Sequence, residues 1–193
     1  GYSRDAFSRM TIADVDVNFL PENIPEMLQQ LSRNHQQQQS FETRLRKKNG
    51  EIVYMLTSVR PITVHGRTCL ATIWSDIGQQ KKTEQELRKL SIAVEQSPGI
   101  IVITDLDSNI EYVNEAFVRV TGWQREEVIG RNPRLLKSDL TPPATYIAIR
   151  EALAQGKTWS GEFINRRKDG SVYYELASIA PIRQSDGKIT HYL

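Results

Sequence analysis

The sequence predicts an α+β protein built from two tandem copies of one domain, and three observations carry that prediction. The first is a repeat. Lys48-Asn49-Gly50 matches Lys168-Asp169-Gly170 and Pro61-Ile62 matches Pro181-Ile182, in both cases 120 residues on (170 − 50 and 181 − 61). Gly1-Tyr2-Ser3-Arg4-Asp5 matches Gly122-Trp123-Gln124-Arg125-Glu126 at an offset of 121, one length change away. That period is too long for a solenoid and marks tandem domains. The second observation is strand patterning on both sides of Asn49-Gly50 and Asp169-Gly170. The third is a helical stretch between the copies, 79–97, where Leu87, Leu90 and Val94 follow 3–4 spacing among Lys, Glu, Gln and Arg.

Each element follows from local chemistry. The segments 41–62 and 159–182 read as hairpins, with Asn49-Gly50 and Asp169-Gly170 as two-residue turns that tolerate φ > 0 at both central positions. In the second hairpin Val172, Tyr174, Leu176 and Ser178 share one face, and Tyr173, Glu175 and Ala177 the other. On the preceding strand Asn165 shares its face with Trp159, Gly161 and Phe163. The second copy is the fuller one. It reads as a strand at 99–104, an Asp/Asn turn at 105–109 and a strand at 110–113. Asn114 then N-caps a helix at 115–121. Pro142-Pro143 opens a helix reaching 146–154, and a last strand begins at Lys188. The glutamine-rich stretch 35–39 reads as a helix end.

Composition excludes several classes. The chain has 193 residues, 39% hydrophobic and 25% charged, with a net charge of +2. The basic runs RLRKK and NRRK fall at hairpin tips, where they are solvated, so no nucleic-acid partner is expected. A single cysteine, Cys69, allows no internal disulfide. The longest apolar stretch, 99–103, cannot span a membrane, and no direct membrane contact is expected. The chain starts at Gly1 without a signal-peptide pattern and reads as a cytoplasmic piece of a longer protein. No phosphate loop, zinc-protease motif or nucleophile elbow is present, so the segment reads as non-enzymatic. His35, His65 and His191 are scattered without Cys or acidic partners at ligand spacing, so no metal site is expected.

The stretches ITDLDSNIEYVNEAFVRVTGW, EEVIGRNPRLLKSD, WSGEFINRRKDGSVYYELASIAPI and DGKITHYL resemble the PAS family of tandem sensor domains in bacterial signalling proteins. The resemblance covers 92–193, with 1–78 as the C-terminal part of a first copy and 79–97 as a linker helix. WSDIGQQKKTEQEL resembles the family's Asp-Ile-Thr exit motif, with Gly78 in place of Thr. It implies two five-stranded antiparallel sheets of order 2-1-5-4-3 with helices on one face. The first copy is expected to lack its N-terminal strands, and the second to stop within its last one. The implied function is a sensory input module that perceives a small ligand or bound cofactor and signals through Asp76, Ile77, Leu87, Leu90 and Val94. The output lies outside the segment, in a histidine kinase of a two-component system or a diguanylate cyclase or phosphodiesterase. A homodimer is implied, and the alternative is a ligand-free interaction module.

The second copy is similar to redox PAS domains that hold FAD non-covalently and to diguanylate-cyclase-linked ones. That likeness implies Trp159, Asn165, Phe117, Arg150 and Leu136 as cofactor-binding candidates. Asn165 would meet an isoalloxazine edge with both a donor and an acceptor, and a buried Arg150 would suit an anion. The bland alternative keeps Trp159 in the core, Asn165 on backbone or solvent, and Arg150 at the surface. The chain departs from the redox subfamily at Pro133 and at Arg150. GRNPR puts Pro133 where light-sensing LOV domains carry a reactive cysteine, which argues against a flavin–thiol adduct. The second copy's helix has no histidine for haem.

Overall fold

A computed structural model describes residues 1–18 and 39–193. His35 and most of the glutamine-rich stretch lie outside the described residues. The chain divides into two compact units, Gly1–Arg88 and Lys89–Leu193.

Among its described residues the first unit holds two short helices, α1 (Arg4–Phe7) and α2 (Ile12–Val15), and an antiparallel sheet β1 (Gln39–Arg46), β2 (Ile52–Val64), β3 (Arg67–Asp76) in that spatial order. Thr43, Leu45, Thr57 and Val59 are buried on one face, and the alternate residues Ile52, Tyr54 and Leu56 are exposed on the other. The linker helix α3 (Gly78–Glu95) follows β3.

The second unit contains β4 (Val102–Thr104), β5 (Ile110–Val113), α4 (Glu115–Thr121), α5 (Arg125–Val128), a 3₁₀ turn (Pro133–Leu136), α6 (Pro143–Ala154), β6 (Trp159–Arg166), β7 (Val172–Ile179), β8 (Pro181–Arg183) and β9 (Ile189–Tyr192). Asn114 caps α4 as expected: its side chain accepts from the Phe117 amide at 3.2 Å. Ile110, Val113, Phe117, Val128 and Leu136 form the core between sheet and helices. The strand order is β5-β4-β9-β8 in one piece and β6-β7 in another. Since β7 and β8 are successive parts of one strand interrupted at Ala180, the path across both pieces is the expected 2-1-5-4-3. The sheet falls into two pieces because β9 pairs with Pro181–Arg183, leaving β7 to pair with β6.

The repeat reappears in three dimensions. Every pair of the β1–β2 ladder has its counterpart in β6–β7, from Gln39↔Val59 and Trp159↔Ile179 to Arg46↔Ile52 and Arg166↔Val172. Ser40 and Ser58 meet hydroxyl to hydroxyl at 2.8 Å, and Ser160 and Ser178 at 3.1 Å.

The turn type differs from the expectation. Gly50 and Gly170 have φ of +86° and +90°, but Asn49 and Asp169 are not in the left-handed region. Instead the Gly50 amide donates to Lys47 O and the Lys47 amide to Glu51 O, and Gly170 and Arg167 do the same with Arg167 O and Ser171 O. Each loop is therefore a type I turn followed by a left-handed glycine bulge. Asn49 and Asp169 serve another purpose: their side-chain oxygens accept from the Glu51 and Ser171 amides. The β8–β9 loop repeats the build, with Gly187 bonded to Gln184 O and Asp186 to the Lys188 amide. Among the described hairpin turns, both central positions are left-handed only in the β2–β3 turn, at His65 (φ 48°) and Gly66 (φ 74°).

Candidate functional site

The inner face of β6–β7, the one turned toward the helices, gathers the second unit's chemistry. Trp159, Gly161, Phe163 and Asn165 alternate onto it from β6, and Tyr173, Glu175 and Ala177 from β7. The Trp159 indole lies over Gly161: a Cβ built there would fall 2.4 Å from it, so only glycine permits the approach. The Trp159 and Phe163 rings are 5.2 Å apart, and Tyr146 of α6 stands 6.1 Å from Phe163. At the far end of the face the Asn165 amide donates to Glu175 Oε2 at 2.8 Å, and Asn165 is buried. The Tyr173 hydroxyl beside them is buried without a hydrogen-bond partner. Burial pushes the Glu175 carboxyl above the usual glutamate range, against the lowering effect of Asn165, and also raises the Tyr173 phenol.

The outer edge of β6 is closed by a loop. Thr141 Oγ1 donates to Ile164 O at 3.0 Å and accepts from Ile164 N at 2.9 Å, and the Ser138 hydroxyl also donates to Ile164 O. Lys137 forms a backbone bridge with Asn165. These contacts protect an edge strand that would otherwise be open.

Of the cofactor-binding candidates, Trp159 and Asn165 share this face. Phe117 is fully buried and Leu136 nearly so, both in the core cluster. Arg150 stands apart. The inward side of α6 is occupied by Tyr146 and Ile149, and one residue further turns Arg150 about 100° around the helix into solvent, so it is not the buried anion partner envisaged. Sequence reasoning placed Tyr173 and Glu175 together but assigned them no role; a carboxylate alternating with Tyr173 on a strand face was the available signal.

In the first unit a cavity of about 270 Å³ opens on the corresponding face, with Phe7, Val15, Leu45, Met55 and Trp74 among its lining. Phe7 meets Trp74 edge-on at 5.8 Å, and the Trp74 indole N–H is buried without a partner. Asp76 ends β3 and accepts from the Gly78 amide at 2.8 Å, which starts α3. The Ile77 amide donates to Tyr54 O at 3.0 Å. Along α3, Leu87 and Leu90 are 62% and 65% exposed and Val94 37%, so the stripe lies uncovered. Among the described residues no cluster of three or more His, Cys, Asp or Glu could hold a metal, and no helix is long and apolar enough to cross a membrane.

The family model described as PAS domain matches residues 1–79 and again 98–193. The chain belongs to the PAS domain family. A stretch of 111 residues is 38% identical to the nitrogen fixation regulatory protein of Klebsiella oxytoca, covering 58% of this chain and 22% of that protein. A blue-light-activated histidine kinase of Brucella ovis is 34% identical over 87 residues, covering 45% of this chain and 18% of the kinase. The chain thus spans about a fifth of the length of these curated relatives. A solved RNA-binding light-oxygen-voltage receptor superposes on 97% of this chain and 86% of its own with a TM-score of 0.50; at 17% identity that likeness concerns the fold alone.

The raised Glu175 carboxyl predicts a pH dependence of the second PAS domain's stability. Its folded-state pKa is raised, so the folded domain holds this proton more tightly than the unfolded chain. Its contribution is fully present below the ordinary glutamate pKa and is lost as pH rises from there through the raised value. Glu175→Gln keeps an acceptor for Asn165 and removes the charge. Thermal midpoints from about pH 4 to 8 should fall across that window in the wild type, and the decline should flatten in the variant.

Proposed function

We propose that this chain is the sensory input region of a cytoplasmic signal-transduction protein, with a small ring-shaped ligand held on the inner face of the second PAS domain. The observation that carries the reading is the pair of buried Asn165 with half-buried Glu175 and the unpartnered Tyr173 hydroxyl at one end of an aromatic face made by Trp159, Phe163 and Tyr146. A planar heterocycle needs such a combination, with rings against its faces and donors and acceptors at one edge. FAD is the candidate that the resemblance to redox PAS domains supplies, and the donor set suits an isoalloxazine edge. Asn165 would hold that edge and Trp159 would flank the ring; the cofactor would supply the redox response. Pro133 leaves no thiol for a covalent adduct. The relationship to a regulatory protein and a blue-light-activated histidine kinase supports a signalling role and a histidine kinase as the output; a diguanylate cyclase is the alternative output that the family resemblance offers.

The visible spectrum and the extracted small molecules of the purified protein test this. Flavin bands that disappear in Asn165→Ala are the expected result. A colourless protein with nothing extractable would sink the cofactor reading and favour the ligand-free interaction module, for which the exposed Tyr54, Leu56, Tyr174 and Leu176 on the outer sheet faces speak.

The signal leaves along α3, in this reading, through a homodimer in which the Leu87, Leu90 and Val94 stripes of two chains meet. An isolated helix of 18 residues is marginal in water, and its apolar stripe calls for a partner. Leu87→Lys with Leu90→Lys should yield monomers with both domains folded, read by sedimentation. A double variant that remains dimeric, or a wild type monomeric at high concentration, removes the helix as the contact.

A further inference from the structure

The last turn of α3 carries an acid where a helix disfavours one. Glu95 is its final residue and no basic residue lies in that turn; the macrodipole makes this end a place for cations. Side chains from the second PAS domain converge on it. Tyr112 Oη of β5 donates to Glu95 Oε2 at 2.7 Å, and the Arg125 guanidinium at the start of α5 pairs with Glu95 Oε1. Arg125 also stands 3.5 Å from Glu115 of α4, and its Nε is buried with no hydrogen-bond partner. Alongside, Asn114 Nδ2 donates to Gly99 O at 2.9 Å and Val94 O at 3.3 Å while its Oδ1 accepts from the Ile101 and Phe117 amides. The bond from Tyr112 and the pairing with Arg125 hold the Glu95 carboxyl below its usual range, and burial and Glu95 push Tyr112 up to about 12. The clamp therefore stays in one charge state around neutrality.

A contiguous path joins this clamp to the candidate site. Asn165 bridges Lys137, the neighbour of Leu136; Leu136 packs with Val128 of α5 and Phe117 of α4; and those two helices carry Arg125 and Glu115. We infer that Glu95 is a positioning residue through which Tyr112 and Arg125 tie the end of the linker helix to the α4–α5 layer, so that a change at the Asn165 face loosens or tightens the last turn of α3. The inference rests on the second PAS domain being the sensing one.

Spatial continuity alone does not establish coupling, so the test is a double-mutant cycle on the full chain. Hydrogen exchange of the 90–97 amides is followed in wild type, Glu95→Gln, Asn165→Ala and the double variant. Glu95→Gln should speed exchange there about tenfold. Asn165→Ala should change it about fivefold in the wild-type background and leave it unchanged in Glu95→Gln. Equal effects of Asn165→Ala in both backgrounds, or none in either, overturn the relay. If Asn165→Ala unfolds the domain, Asn165→Asp replaces it in the same cycle. Arg125→Lys should retain part of the protection that Arg125→Gln loses; equal losses in the two would remove the ion pair from the relay. A colourless protein that still shows the coupling keeps the relay and sinks the flavin reading by itself.

Discussion

Phe117→Ala should destabilise the second PAS domain by about 3–5 kcal/mol. The ring is fully buried on α4 and meets Ile110 and Val113 of β5, Val128 of α5 and Leu136 of the 3₁₀ turn. Three of those neighbours are β-branched and stiff at χ1, two held on β5 and one on α5, so the cavity cannot collapse cheaply. A domain of this size has about 5–15 kcal/mol in hand, so the variant would sit near the edge of folding. Phe117→Leu, which keeps most of the volume, should cost about 1 kcal/mol. Denaturant titration read by hydrogen exchange at β4 and β5 measures both, and β1–β2 exchange in the first domain should not move. Exchange at β4 and β5 unchanged by the alanine variant would mean that the core is centred elsewhere.

Asn114→Ala comes next, at about 2–4 kcal/mol. Asn114 is fully buried and works in both directions: Oδ1 caps α4 and holds the Ile101 amide, and Nδ2 answers the carbonyls of Val94 and Gly99. Removing it costs the cap and strands those groups. The informative variant is Asn114→Asp. At an exposed cap aspartate is as good as asparagine; here it would put a carboxylate against carbonyl oxygens and lose both donor bonds. The expected order of thermal midpoints is wild type, then alanine and aspartate together well below. An aspartate variant as stable as wild type would mean that only the cap matters.

Much of the fold was legible because it is written locally or repeated. Asn114 as a cap, Pro143 at a helix start and the matched hairpins need only nearby residues, and the ladder pairs of the second copy follow from those of the first. Turn type was less legible: Asn-Gly and Asp-Gly allow the two-residue turn, but here a type I turn and bulge place glycine alone in the left-handed region, and the two-residue turn fell to His65-Gly66. The facing of β7 runs against hydropathy. Tyr174 and Leu176 are 80% and 83% exposed, and Glu175 turns inward, because the register with β6 puts Glu175 opposite Phe163 and on the face of Asn165. No window along the chain contains that information. The Glu95–Arg125 pair joins residues 30 apart in different elements, and neither carries a motif. Arg150 was a candidate only through the resemblance, with a surface position as the alternative, and the structure shows it exposed.

The three like-built hairpin tips have a practical use. At Gly50, Gly170 and Gly187 an added Cβ would meet nothing within 4 Å, so each glycine faces open space, while Arg167 and Lys168 beside the second tip are bonded to Val120, Thr121 and Glu127. Ser185, at the exposed β8–β9 tip, can be replaced by cysteine without touching the Asp186 bond that shapes the turn. Cys69, the only thiol in the sequence, is already exposed on β3 of the other domain. A Ser185→Cys chain would therefore carry one dye on each domain, a molecular ruler for energy-transfer measurements of how far the two domains swing as the purified protein is oxidised, reduced or offered small molecules.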